Sequence, residues 1–346
     1  MADYLNYYSG KRVLVTGGAG AVGSQLTKRL LELGAFVIVI DNLSSGYTWN
    51  LPQDTKNLLF VEGDITNDID LKRVFGEEPE IIFHLAAFFA NQNSVDYPEK
   101  DLWTNGFGTL KLLEYTKLYG KIERFVYASS GCSIYPSDAP MPYKESLPPS
   151  MDMSTPYQIT KMLGELYGNF FYKMYDVHIA KARFFNSYGP GEVPGQYRNV
   201  IPNFIYWAMN KQPLPITGTG EETRDFTYVG DIVDGLLRMG YFKEAIGEAF
   251  NLAAGREIKI QYLAETINRL TGNDAGIIYT QRRKWDTKPR LLASNEKAKR
   301  ILGFKPDPDF EKGLIKAIEW FKDNWENIKV AAKFGPGISS AVRGVK

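Results

Sequence analysis

The sequence predicts a doubly wound α/β fold: a parallel sheet with helices on both faces, followed by a smaller C-terminal α/β unit. Three observations predict it. Short apolar, β-branched runs alternate with amphipathic runs through the first half of the chain, the pattern of strand–helix–strand crossovers. A glycine-rich turn, Gly17-Gly-Ala-Gly20-Ala-Val-Gly23, joins the first apolar run to the first amphipathic one. Asp41, Asp64, Ser130 and Asn186 all stand at the ends of apolar runs, on the edge where open parallel sheets bind ligands.

Each element can be justified in order. Lys11 to Thr16 reads as a short buried strand and Ser24 to Leu33 as a helix, with Gly34 at its stop. Strand, glycine turn and helix together are the Rossmann-type dinucleotide fingerprint. Gly17 allows the tight turn, Gly20 lets backbone approach a pyrophosphate, and Gly23 lets helix and strand pack closely. The N–H groups that open the helix, around Ala21 and Val22, face the phosphates. Ala35 to Ile40 is a continuous apolar strand ending in Asp41, at the offset (~20 residues on) where an acid receives ribose hydroxyls. Asn42-Leu-Ser-Ser-Gly46 offers no Arg or Lys to a 2′-phosphate, so the expected cofactor is NAD rather than NADP.

Leu58 to Val61 forms a third strand, closed by Gly63-Asp64-Ile65. Asp64 either receives the adenine amino group or caps the following helix. The run from Pro79 gives a fourth strand ending in Leu85, Ala86 and Ala87, small enough to let a flat ligand lie against backbone or simply to pack closely. Asp101 to Tyr119 reads as one long helix with Asn105 near its start. Arg124 to Ala128 is a fifth strand, with Ser129 and Ser130 at its end. Thr155-Pro156 opens a helix that runs to about Met174. Val177 to Phe184 is a sixth strand, ending at Asn186.

The second half changes character. A turn-rich loop from Gly189 to Gly195 precedes a helix over Val200 to Lys211 and a short extended piece at Leu214. Arg224 to Asp231 leads into another helix, and Glu248 to Ala253 is expected to return to the sheet. Ile260 to Leu270 and Glu311 to Trp325 read as helices, and the residues from Lys333 as a frayed tail.

Composition narrows the function. The formal net charge of +1 on 346 residues gives nucleic-acid binding no support. One cysteine, Cys132, excludes a disulfide framework and is compatible with the cytoplasm. With His84 and His178 far apart it makes no zinc pattern, so no metal is expected. No apolar run approaches the ~20 residues that span a bilayer, so no membrane partner is expected, and the N-terminus has no secretory pattern.

Tyr157 and Lys161 are four apart on a helix and share a face. A nearby ammonium favours phenolate and is expected to lower the Tyr157 pKa, so that it can take a proton from a hydroxyl while hydride leaves the same carbon. Ser130 is placed to donate to the oxygen that becomes a carbonyl.

These residues resemble the extended short-chain dehydrogenases/reductases, in particular the nucleotide-sugar epimerases and dehydratases. The matching elements are Thr16-Gly-Gly-Ala-Gly-Ala-Val-Gly23, Asp41-Asn42, Asp64-Ile65, His84-Leu-Ala-Ala87, Asn105, Tyr127-Ala-Ser-Ser130, Tyr157-Gln-Ile-Thr-Lys161, Arg183-Phe-Phe-Asn-Ser-Tyr-Gly-Pro190 and Thr223-Arg-Asp-Phe-Thr-Tyr-Val-Gly-Asp231. The resemblance implies a tightly held NAD, contacted by Gly17, Gly20, Ala21, Val22, Gly23, Asp41, Asn42, Asp64, Ile65, Leu85, Ala86, Ala87, Asn105, Tyr157 and Lys161. It implies a transient oxidation, usually at sugar C4, with the hydride returned to the opposite face. Ser130, Cys132, Asn186, Val200, Arg224 and Arg290 would contact a nucleotide-diphosphate sugar. The implied division is an NAD-binding unit over 1–186, a nucleotide-sugar-binding unit over 187–332 and a tail over 333–346. A homodimer through the helices at 101–119 and 157–174 is also implied.

The active-site loop departs from the family pattern. Counted forward from the strand, Ser130 takes the catalytic place; counted back from Tyr135, Gly131 does. The acidic pair with which the family's dehydratases remove water is missing at Gly131-Cys132-Ser133. That favours an NAD-dependent epimerase, acting first of all on a UDP-sugar, over a dehydratase. Cys132 leaves open a GDP-sugar 3,5-epimerase or reductase in which it moves protons as a thiolate, or an inert buried thiol. A nucleotide-sensing protein that had lost catalysis is the non-enzymatic alternative.

Overall fold

The computed structural model describes residues 4–282, 286, 288–307 and 309–334. Its centre is a seven-stranded sheet. The strands β1 (Arg12–Thr16), β2 (Phe36–Asp41), β3 (Leu58–Glu62), β4 (Ile81–His84), β5 (Arg124–Ser130) and β6 (Ile179–Phe184) come from the first half of the chain. Their order is β3-β2-β1-β4-β5-β6, and every neighbouring pair is parallel. Order reverses between β1 and β4, which opens a crevice at the carboxyl ends of the strands.

Helices cover both faces. α1 (Ala21–Glu32) follows β1, and α2 (Asp68–Gly76) follows β3. Beyond β4, α3 (Asn91–Asp96) and α4 (Pro98–Asp101) lead through a π-helical stretch, Leu102–Phe107, into α5 (Gly108–Tyr119). The expected helix from Asp101 to Tyr119 is therefore present, with a wider turn around Asn105, and it stops at left-handed Gly120. α6 is the single turn Gly131–Ile134 after β5. α7 (Pro156–Tyr175) starts at a capping box, with Thr155 accepting from Gln158 N and Gln158 reaching back to the Thr155 backbone. One apolar core packs α1 side chains such as Leu26 and Leu30 against Val13, Val37 and Phe83 of the sheet. On the opposite face Leu71, Leu112 and Phe171 of α2, α5 and α7 pack on Leu14, Ile38 and Phe125.

The second half contributes to both units. After β7 (Ser187–Tyr188) come α8 (Val200–Met209), β8 (Leu214–Thr217), β9 (Thr223–Arg224), β10 (Thr227–Tyr228) and α9 (Val229–Tyr241). The next strand, β11 (Ala249–Leu252), pairs in parallel with β6 as the seventh strand, as expected for residues 248–253. Leu236 and Leu237 of α9 join the core beneath α1. A separate core joins α8, α10 (Ile260–Thr271) and the later helix over Phe310–Asp323 through Ile205, Trp207, Ile267, Leu314 and Phe321. The expected tail begins inside this unit. Lys333 bridges to Gly195, and the Phe334 ring lies 5.4 Å from that of Tyr206; the remainder of the tail, from 335, lies outside the described residues.

Candidate functional site

Two cavities meet above the sheet. The first is a cleft of about 440 Å³ along the strand ends, from Gly17 and Gly20 through Asp41 and Ala86 to Tyr157 and Lys161. The second, of about 240 Å³, lies towards the C-terminal unit and is lined by Val200, Trp207, Ile216, Arg224 and Lys288, among others. Cys132, Asn186, Arg198 and Asn199 border both.

The glycine turn is shaped as a cradle. Gly17 has φ +70°, and a Cβ there would stand 2.7 Å from Ala86 N. A Cβ on Gly23 would stand 2.1 Å from Gly17 O, so only glycine lets α1 sit this close to β1. A Cβ on Gly20 would meet Gly17 O at 3.2 Å and nothing else within 4 Å. Gly20, Ala21, Val22 and Gly23 border the cleft, putting the first turn of α1 against it. These donors and this open backbone suit a pyrophosphate.

Asp41 ends β2 at the far end of the cleft. Its carboxylate accepts from Ala19 N at 3.0 Å and Leu43 N at 2.9 Å. Burial pushes its pKa up, while those two N–H groups and the Arg198 charge oppose the rise. Asn42, Asp64 and Ile65 also border the cleft. Asp64 accepts from Asn42 Nδ2 at 2.8 Å and from Thr66 N at 2.9 Å. Burial works to raise its pKa, but the bonds from Thr66 and Asn42 and the Lys100 charge hold it below the usual range. It is not the helix cap: Asn67 caps α2, accepting from Ile69 N and Asp70 N. Leu85, Ala86 and Ala87 form the floor. Asn105 does not border the cleft. It is buried one layer behind, accepting from Phe88 N at 2.7 Å and donating to Asp101 at 2.9 Å, and so fastens the Phe88 loop to the helices.

At the other end α7 presents Tyr157 and Lys161 on one face. Lys161 Nζ donates to Ala128 O at 2.9 Å and lies 5.6 Å from the Tyr157 ring centre. Burial lowers the Lys161 pKa to about 8, partly opposed by the Asp101 carboxylate. The expected lowering at Tyr157 is not found in the protein alone. Burial raises its phenol above the ordinary value, with Asp101 and Cys132 adding to the rise. The buried environment and nearby carboxylate outweigh an ammonium that is itself turned to a backbone carbonyl.

Ser130 closes β5 with its Oγ 2.8 Å from that of Ser133, and both border the cleft. Gly131 cannot take its place: a Cβ there would lie 2.0 Å from the Phe185 ring. The hydroxyls at this end of the cleft are therefore those of Ser130 and Ser133. Cys132 donates to Asn186 Oδ1 at 3.4 Å, and burial pushes its thiol up, which disfavours a thiolate. Arg224 faces the second cavity and holds Asp286 at 3.0 and 3.2 Å. Arg290 lies outside both cavities, 54% exposed and paired with Glu257. The chain turns between Lys288 and Arg290, so Lys288 takes the inward position, donating to Cys132 O at 2.9 Å and Tyr135 O at 2.7 Å.

A buried pair braces this end. Arg183 on β6 holds Glu165 on α7 with bonds of 2.9 and 2.8 Å, and Ser129 donates to the same carboxylate at 2.5 Å. The end of β5 is thus tied to the helix that carries Tyr157. Sequence reasoning missed Ser133, Glu192, Arg198 and Lys288. Their neighbours in the chain have no repeating pattern, and only the fold brings them to the cavities. Among the described residues no group of three or more His, Cys, Asp or Glu is placed to hold a metal ion.

The profile of the NAD dependent epimerase/dehydratase family matches residues 13–253. A UDP-glucose 4-epimerase of Mycolicibacterium smegmatis is 35% identical over 318 residues, which is 90% of this chain and 99% of that one. The structure of an epimerase from the methanogen Methanothermobacter thermautotrophicus superposes with a TM-score of 0.94 at 58% identity, covering 96% of this chain and 98% of the other. The Bordetella bronchiseptica enzyme WbmF, solved in complex with NAD+ and UDP, superposes with a TM-score of 0.81 at 37% identity over 94% of this chain and 96% of that one.

Proposed function

The chain belongs to the NAD dependent epimerase/dehydratase family, and from that premise we propose that it is a UDP-sugar 4-epimerase. The observation that carries the reading is the meeting of Ser130, Tyr157 and Lys161 in the first cavity, beside Cys132 and Asn186 that border both, with no carboxylate at Gly131, Cys132 or Ser133. NAD, when bound, supplies a hydride acceptor that can return the hydride. Tyr157 takes the proton from the C4 hydroxyl as a phenolate, a form that burial opposes and that Lys161, held by Ala128 O, favours by keeping positive charge beneath it. Ser130 donates to the same oxygen as it becomes a carbonyl, and Ser133 orients that hydroxyl. Arg224 binds the diphosphate, for which guanidinium geometry is suited, and displaces its charge from Asp286 in doing so. Asn186 and Val200 contact the substrate beside it, while the base lies among Asn199 to Pro202 and Leu214 to Gly218. Arg290, outside the cavities, has no part in this reading.

Dehydration needs an acid beside Ser130, and Gly131, Cys132 and Ser133 supply none. The relatives named UDP-glucose 4-epimerase support the substrate class. The test is to incubate the purified protein with UDP-glucose, UDP-N-acetylglucosamine and UDP-glucuronate and follow the products by NMR. Interconversion of C4 epimers without added reductant is expected. Release of water or carbon dioxide, or steady consumption of NADPH, overturns the reading.

We further propose a homodimer. Leu102, Leu118, Ile159, Leu166, Phe170 and Met174 are large apolar side chains left exposed on the helices over 102–119 and 156–175, more than a solvated face explains. No described helix is long and apolar enough to cross a membrane, and the cytoplasm is the proposed compartment. Light scattering that returned a monomer would remove the dimer.

A further inference from the structure

The segment from Gly189 to Asn199 links the sheet to α8, and its residues Glu192, Arg198 and Asn199 line the first cavity. Gly191, at φ +96°, packs on the first turn of α1 so tightly that a Cβ would lie 2.9 Å from Ala21 O. Asn50 Nδ2 donates to Gly191 O at 2.8 Å. Farther along, Gln196 N donates to Lys333 O at 2.9 Å, and Tyr197 donates to Asp96 at 2.8 Å. Arg198 then reaches back over the cleft and donates from Nη2 to Ser45 O at 2.7 Å. Ser45 belongs to the loop after β2, next to Asp41. The segment is therefore a strap, rooted in the C-terminal unit and fastened to the nucleotide side of the sheet.

Arg198 is the only one of these anchors that borders both cavities among the described residues. Its charge acts on two carboxylates, Asp41 and the buried Glu192, and opposes the rise that burial imposes on each. Glu192 is itself tied down by Asn199 Nδ2 at 2.8 Å. A guanidinium can hold a carbonyl with one N–H and turn others to an anion. A lysine can make only a point contact.

We propose that Arg198 is a cofactor-retaining residue: its guanidinium latches the strap to the Ser45 carbonyl across the adenosine half of the cleft and turns its remaining N–H groups to the dinucleotide. Cofactor can then leave only when this latch opens. The inference rests on the reading that the cleft holds NAD. It adds to that reading the reason the dinucleotide stays in place through many turnovers, and it locates that reason in the second half of the chain rather than in the glycine turn.

The test uses the full-length protein with its bound cofactor and the variants Arg198→Met and Arg198→Lys. Bound NAD is released with acid and quantified after gel filtration, and exchange against isotopically labelled NAD is timed. Wild type is expected to keep its NAD. Arg198→Met is expected to lose most of it and to exchange at least about ten-fold faster, the equivalent of one lost charge-assisted bond. Arg198→Lys falls between. Thermal melts of the apoproteins report folding. If Arg198→Met melts well below wild type, the decision passes to Arg198→Lys, which must speed exchange with its melt intact. Wild-type retention and exchange in Arg198→Met, or in Arg198→Lys under that condition, overturns the latch. Failure of wild type to bind NAD at all would instead overturn the cofactor reading.

Discussion

The two cavities share a wall and are built in different ways. The first cleft is made largely of backbone: a glycine turn, the opening of α1 and the small residues that end β4. Its geometry is rigid because strands in register set it. The second cavity is made of side chains from α8, β8, β9 and the stretch around Lys288, and its charges already have partners, Arg224 with Asp286 and Lys288 with two carbonyls. A backbone site has little freedom to change its ligand. A site of paired side chains can exchange partners, which lets related proteins keep one cofactor and vary the sugar.

The sharpest way to break this contrast is to strike the chemical end of the first cleft, beside the residues that border both cavities. Tyr157→Phe is expected to lower kcat by about 10³-fold, within the range of about 10²–10⁴ for a lost proton-transfer group. NAD content should be unchanged, because the hydroxyl is not part of the cradle. A variant with near-normal turnover would remove Tyr157 from the mechanism.

Glycine substitutions compare the two materials directly. Gly23→Ala drives a Cβ into Gly17 O and Gly18 Cα, both backbone. The expected result is loss of bound NAD and destabilisation of about 1–3 kcal/mol, read from denaturant melts. Gly131→Ala drives a Cβ into the Phe185 ring, a side chain. Pairing it with Phe185→Leu should recover part of the lost stability, whereas no single neighbouring change should rescue Gly23→Ala.

Arginine substitutions probe the second cavity. Arg224→Met is expected to raise KM about ten- to hundred-fold through loss of charged hydrogen bonds. Arg290→Met, outside the cavity, should stay within about two-fold, since exposed ion pairs such as its bond to Glu257 contribute little. Equal effects in steady-state kinetics would show that Arg290 turns inward when substrate binds.

The smallest effect concerns pH. Burial raises the Glu192 pKa to about 7, above its value of about 4.3 in an unfolded chain. Between those values the folded state holds a proton that the unfolded state has lost. This group's contribution to stability is therefore full at low pH and is lost as pH rises towards about 7. Glu192→Gln should remove that slope, so melts of the apoprotein at pH 5.5 and 7.5 should lie closer together in the variant. An unchanged difference would place the titration elsewhere.

Much of the fold was legible because its signals are local. A buried parallel strand must be apolar throughout, so β1, β2 and β4 announced themselves. Thr155-Pro156 marked the start of α7 because capping is decided within one turn. The return of β11 to the sheet could be expected from its apolar run, but not its place beside β6.

By itself the sequence determined the sheet, the glycine cradle and the spacing of Tyr157 and Lys161, since each depends on contacts within a few residues. Tertiary structure alone brought two hydroxyls, Ser130 and Ser133, to the cleft within hydrogen-bond distance of each other. It turned Lys288 rather than Arg290 inward, set Asn105 behind the wall, and carried Arg198 across to Ser45. It also reversed the expected direction at Tyr157: four-residue spacing reveals the ammonium but not the depth of burial, and burial is the larger effect.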